Sequence, residues 1–199
     1  MSSVTELLLP LFPLGVVVLP GEEIQLHIFE PRYKQLIQDC REQESTFGIP
    51  FVKSGAIRGY GTNVRLLSVD NTYATGEMDI TVVGVEPLHV EAFYPEFPDK
   101  LYPGGKVVLR PTDSEASDEF RDLFAAFDEA FLGSEPWKSL TYRSTYEIAN
   151  KLNLSTEQKY KLISLGNTDA REAYLTNVMK YLLVLQEQEN AVEDGFYLS

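Results

Sequence analysis

Leu9-Pro-Leu-Phe-Pro-Leu-Gly-Val-Val-Val-Leu-Pro-Gly-Glu-Glu-Ile-Gln-Leu-His-Ile-Phe-Glu-Pro-Arg-Tyr33 carries three local instructions in one stretch. Its first half is apolar but broken at Pro10, Pro13, Gly15 and Pro20-Gly21, which is too punctuated for a helix. From Glu23 to Phe29 the chain alternates. Ile24, Leu26 and Ile28 fall on one side and Gln25 and His27 on the other, the pattern of a half-buried strand. Pro31 then suits a first helical position, and Tyr33, Leu36, Ile37 and Cys40 follow at helical spacing on one face.

Working outward, strand-like runs recur at Phe47–Val52, Gly61–Val69, Gly76–Val85, Leu88–Phe93 and Lys106–Leu109, separated by turn residues such as Asp70-Asn71 and Gly104-Gly105. Short strands in this number, with one interrupting helix, predict an antiparallel barrel or sandwich over residues 1–112. From 113 to 199 the period becomes helical. Phe120, Leu123, Phe124, Phe127 and Phe131 line one face of a segment expected to end at Gly133. Ser144 with Glu147 and Ser155 with Gln158 spell two capping boxes, opening helices expected to reach Leu152 and Leu165. A last helix is expected from Thr168–Ala170 to about Asn190, with Leu175, Val178, Leu182 and Leu185 inward. The expected class is α+β: a β-rich first subdomain, then a helical bundle.

Charge narrows the function. The 199 residues carry 30 Asp and Glu against 17 Lys and Arg, a formal net charge of -13 shared by both halves. Nucleic-acid affinity rests largely on Lys and Arg neutralising phosphates, so nucleic acid and anionic membrane are not expected partners. The basic candidates for RNA, Lys53, Arg58 and Arg65, are few. No run approaches the ~18 apolar residues of a membrane span. The single cysteine cannot close an internal disulfide, and no Lys or Arg precedes Arg32 to make a secretory n-region, so a cytoplasmic location is expected.

Phosphate loops, dinucleotide fingerprints, Cys-x-x-Cys and His-Glu-x-x-His are missing from the sequence, and neither a cofactor nor a metal is expected. His27 and His89 sit within strands as hydrogen-bonded or solvent-side residues, and Cys40 lies on the apolar face of its helix as an inert thiol. A carboxylate pair in a cleft between barrel and bundle is the alternative, a hydrolase reading, although abundant acids make any chosen pair uninformative.

Two features invite binding. Phe93-Tyr-Pro-Glu-Phe-Pro-Asp-Lys-Leu-Tyr-Pro103 is stiffened by three prolines, and Phe93, Tyr94, Phe97 and Tyr102 are its candidate polypeptide contacts; the competing reading is a plug within the fold. Asp118, Glu119, Asp122, Asp128 and Glu129 form a candidate acidic docking face within 113–135, against the simpler reading of a solvated helix face.

The segment from Leu9 to Tyr33 resembles the opening of the Lon protease N-terminal domain, most of all its standalone members. Leu-Pro-Leu-Phe-Pro-Leu14, Pro20-Gly21 and His27-Ile-Phe-Glu-Pro-Arg-Tyr33 carry the resemblance, and weaker agreement extends over Phe47–Ile49, Gly61–Val64, Gly76–Gly84 and Leu154–Leu185. It implies a PUA-like pseudo-barrel followed by a helical bundle, and a non-catalytic role like that of the substrate-recognition part of the ATP-dependent protease. Implied partners are unfolded or flexible polypeptides, and a separate protease or an adaptor role. The family's ATPase and Ser–Lys protease modules have no counterpart in the motifs of this sequence. Where the family often carries an arginine after the glycine of Val82-Val-Gly84, Val85-Glu-Pro87 stands here, so that residue's role does not transfer.

Overall fold

Thr5–Pro10 (β1), Glu23–Ile28 (β2), Pro31–Gln43 (α1), Phe47–Lys53 (β3), Ala56–Thr72 (β4), Met78–Tyr94 (β5) and Gly104–Leu109 (β6) make up the first part of the chain. Asp118–Phe127 (α2) follows, continued by a π-helical turn at Asp128–Leu132, and then Thr145–Ala149 (α3), Thr156–Ser164 (α4) and Thr168–Phe196 (α5). These elements come from a computed structural model that describes residues 5–110, 112, 115–132 and 142–196; the expected helix end at Gly133 lies outside the described residues.

The fold is mixed α/β with an antiparallel sheet in the order β1-β6-β5-β4-β3, and β2 pairs with the N-terminal half of β5. Beyond β1, Leu11 and Leu14 bridge Gly48 and Phe51 of β3, so the continuation of one edge strand lies against the other edge. The chain divides into two compact units, Met1–Thr112 with Leu154–Ser164, and Asp113–Asn153 with Leu165–Ser199.

In the sheet unit the helical face read from the sequence is the buried one. Tyr33, Leu36, Ile37 and Cys40 of α1 join Phe12, Val18, Phe47, Ile49, Val64, Ile80 and Val82 in one core. At ~25 cal/mol per Å² of apolar area, each such large side chain contributes roughly 1.5–3 kcal/mol. One strand expectation changes. Gly76–Val85 and Leu88–Phe93, expected as two strands, are one long strand, β5. Pro87 is tolerated inside it because its carbonyl accepts from the Arg110 N–H at 2.9 Å, so its missing donor faces that same side, just past the end of β6 at Leu109. Val16–Leu19 forms no regular strand, although Val17, Val18 and Leu19 are buried. The turn at Pro20-Gly21 packs so closely that a Cβ on Gly84 would lie 2.1 Å from the Leu19 carbonyl oxygen. Glycine at 84 is therefore set by close approach of backbone.

Helix α4 also belongs to this unit. Its capping box forms as spelled, Ser155 and Gln158 exchanging bonds of 2.8 and 3.3 Å. Leu162 and Ile163 face inward, Tyr160 packs on Phe51 with ring centroids 5.1 Å apart, and Lys159 pairs with Glu22.

The second unit is built on α2, α3 and α5. Ser117 caps α2, accepting from the Phe120 N–H at 3.2 Å, and Glu172 accepts in turn from the Ser117 N–H and hydroxyl. Ser144 and Glu147 form a full capping box, but the helix they open ends at Ala149 instead of Leu152. Buried Arg171 of α5 donates to Thr145 at 3.0 Å and lies over the Tyr146 ring. Helix α5 extends to Phe196, beyond the expected end.

Candidate functional site

The loop between β5 and β6 is folded in two directions. Phe93 and Tyr94 close β5 and are 37% and 41% exposed, whereas Tyr102 is 3% exposed. Phe97 is partly buried; its ring stacks on Tyr102 with centroids 6.3 Å apart. Both rings pack in or against the core of the sheet unit. Gly104 makes room for this, since a Cβ there would meet the Phe97 ring at 2.1 Å. Of the four aromatic candidates, two therefore face water and two face the protein. Leu101, 64% exposed, is a surface apolar residue that the aromatic count passed over.

Three bonds tie the loop to α1. The Tyr102 hydroxyl and the Lys100 ammonium both donate to Asp39 Oδ2 at 2.7 Å, and the Leu101 N–H donates to Gln35 Oε1 at 2.7 Å. The Lys100 hydrogen bond, with help from Tyr102, holds the Asp39 carboxyl below its ordinary value despite partial desolvation. Burial, reinforced by the Asp39 charge, pushes the Tyr102 phenol far up. The loop is thus a fixed platform. Against it lies a groove of about 560 Å³ in which Phe93, Pro95 and Pro103 meet Pro13, Tyr33 and Ile57. A second depression, about 540 Å³, is framed by Phe97, Leu101 and Gln35.

The other candidates lie apart from this platform. On α2, Asp118, Glu119 and Asp122 are exposed, as is Glu129, but Asp128 is 5% exposed and does not belong to an outward acidic face. Asp128 lies four residues after buried Phe124, with its N–H on the Phe124 carbonyl, so the helical period itself turns it toward the buried side. Leu123 is likewise 38% exposed, away from the buried Phe120, Phe124 and Phe127. His27 Nδ1 lies 2.7 Å from Asp79 Oδ1, and Tyr73 donates to the same carboxylate at 2.6 Å. His89 packs on the Tyr60 ring. Burial pushes the Cys40 thiol up, which disfavours a nucleophilic thiolate.

Among the described residues, the carboxylates shifted by their surroundings, Asp39, Asp70 and Asp79, are all held down by hydrogen bonds, the opposite of what a general acid needs. Among the described residues, no three His, Cys, Asp or Glu side chains are placed to hold a metal ion. No described helix is long and apolar enough to cross a membrane.

Residues 8–181 match the family model described as the ATP-dependent protease La (LON) substrate-binding domain. The chain belongs to the Lon substrate-binding domain family. The matched span takes in both units, from β1 into α5. A solved Lon N-terminal domain protein from Xanthomonas campestris is similar at 28% identity, with a TM-score of 0.66, covering 85% of this chain and 96% of that one. The N-terminal domain of the Mycobacterium avium complex Lon protease is similar in fold, at 17% identity and a TM-score of 0.65, covering 87% of this chain and 98% of that one. No curated protein sequence matches the chain.

Proposed function

We propose that this Lon substrate-binding domain protein is a non-catalytic, cytoplasmic polypeptide-binding module, which holds exposed apolar segments of other proteins in the groove beside Phe93. Its sheet is read as a PUA-like pseudo-barrel and its second unit as a helical bundle, the finer classification that the family suggests. The observation that carries the reading is the pairing of exposed Phe93 and Tyr94 with a groove walled by Pro95, Pro103, Tyr33 and Ile57 on a platform fixed to α1. Rigid aromatic and proline surface contributes contact area with little conformational entropy to lose on binding. The acidic surface favours neutral or basic clients through its long-range field. Delivery of the held segment to a separate protease, as an adaptor, is the role in which such binding is useful.

Calorimetric titration with a reduced, unfolded carrier protein and with apolar peptides tests this, using a Phe93→Ala/Tyr94→Ala variant beside the parent. Binding by the parent and at least tenfold weaker binding by the variant is expected. Equal binding by the two would remove the groove assignment.

A further inference from the structure

The sheet unit holds a larger cavity, about 710 Å³, whose lining differs in kind. Arg41 and Ser45 at the end of α1 meet Arg65, Leu67, Ser68 and Thr72 of β4 there. One acidic residue, Glu44, shares the lining with the two arginines, so the lining residues carry a net positive charge in a chain of net charge -13.

The state of the two arginines is the informative part. Several other cations of the sheet unit are engaged: Arg32 with Glu30, Lys53 with Glu157, Lys100 with Asp39, Lys106 with Glu6 and Glu91, whereas Arg58 and Lys161 stand outside the cavity without an ion pair among the described residues. Arg41 and Arg65 make no ion pair or hydrogen bond among the described residues, although carboxylates are abundant. Arg41 stands in the last turn of α1, where a cation complements the helix dipole. Arg65 is on a strand, where no such dipole accounts for it. Guanidinium groups are the donors best matched to a carboxylate, and Leu67, 43% exposed, adds an apolar wall beside them.

We propose that this cavity accepts one carboxylate side chain of a bound polypeptide through Arg41 and Arg65, with the apolar neighbours of that side chain against Leu67. The inference rests on the polypeptide-binding reading above and adds a point of selectivity to it. The general acidic field disfavours acidic clients, and the arginine pair admits a single acid at one place.

The test uses the full chain and two fluorescein-labelled peptides, Gly-Ser-Leu-Leu-Glu-Leu-Leu-Ser-Gly and its counterpart with Gln for Glu, read by fluorescence anisotropy. The parent is expected to prefer the Glu peptide by about tenfold, and an Arg41→Gln/Arg65→Gln variant to lose that preference while binding the Gln peptide as the parent does. Both arginines are exposed, and circular dichroism checks that the variant is folded. A preference that survives in the variant, or is missing in the parent, overturns the inference and leaves the polypeptide-binding reading standing. Failure of both peptides to bind any form sinks both readings together. Citrate binding to the parent with the same arginine dependence, while the peptides fail, would overturn the inference in favour of a small carboxylate ligand.

Discussion

Asp39 of α1 and Tyr102 of the loop between β5 and β6, 63 residues apart in sequence, are joined by a 2.7 Å hydrogen bond at the rim of the sheet-unit core. Since Lys100 donates to the same oxygen, one carboxylate sets the position of the whole aromatic loop. Replacing Asp39 by Ala strands a buried phenol and should lower unfolding free energy by about 1–3 kcal/mol. Tyr102→Phe removes the donor without burying an orphan and should cost about 1 kcal/mol. Urea denaturation of the two single variants and the double variant checks this. Additive effects would show that the two side chains do not interact.

The same carboxylate makes stability depend on acid. The native fold holds the Asp39 carboxyl below its ordinary 3.8, so the folded state favours the ionised form more than the unfolded state does. That contribution is fully present above the ordinary value and is lost as pH falls through the lower folded value. Between about pH 5 and 2 the parent should therefore lose stability more steeply than Asp39→Asn. Asp70 and Asp79, also held down, leave the variant with a residual acid loss. Parallel melting curves for parent and variant across that window would refute the assignment.

A Cβ on Gly84 would lie 2.1 Å from the Leu19 carbonyl oxygen, and the neighbouring backbone is bonded through Gly21 N–H to Gly84 C=O at 2.8 Å. Gly84→Ala must move backbone instead of a flexible side-chain tip. A loss of about 1–3 kcal/mol is expected, together with shifted amide resonances at 19–22. An alanine variant as stable as the parent would mean that the segment at Pro20 is free to retreat.

What was legible in the sequence followed from local rules. The stripe on α1 needs only the helical period, and both capping boxes need only four residues each, so these elements start where they were read, although the helix opened by Ser144 stops at Ala149. Gly76–Val85 and Leu88–Phe93 were read as separate runs, and β5 continues through Pro87 because β6 ends beside it, which only the fold reveals. The company kept by α4 was not legible, since an amphipathic pattern says that a face is buried but not against what. At the binding loop, composition marked the aromatic rings but not their directions. Those are decided by Asp39, Gln35 and Gly104, whose partners are distant in sequence or visible only as packing. Asp128 was misplaced by grouping it with the acids around it, although four residues past Phe124 the helical period turns it toward the buried side.

Helix α2 offers a sharper check on that period, because Leu123 and Phe124 are adjacent and both were read as inward. Phe124 is fully buried, with the Phe127 ring 6.4 Å away and the Tyr142 ring 5.8 Å away edge-on, whereas Leu123 is 38% exposed. Phe124→Ala leaves a cavity among rings that cannot all collapse into it, and should cost about 3–5 kcal/mol. Leu123→Ser exchanges an apolar surface for a polar one in water and should stay within about 0.5 kcal/mol of the parent. Thermal melting of the two variants separates the cases: a small change for Leu123→Ser beside a large one for Phe124→Ala fits the helix orientation described, and comparable losses would require α2 to be rotated so that Leu123 faces inward.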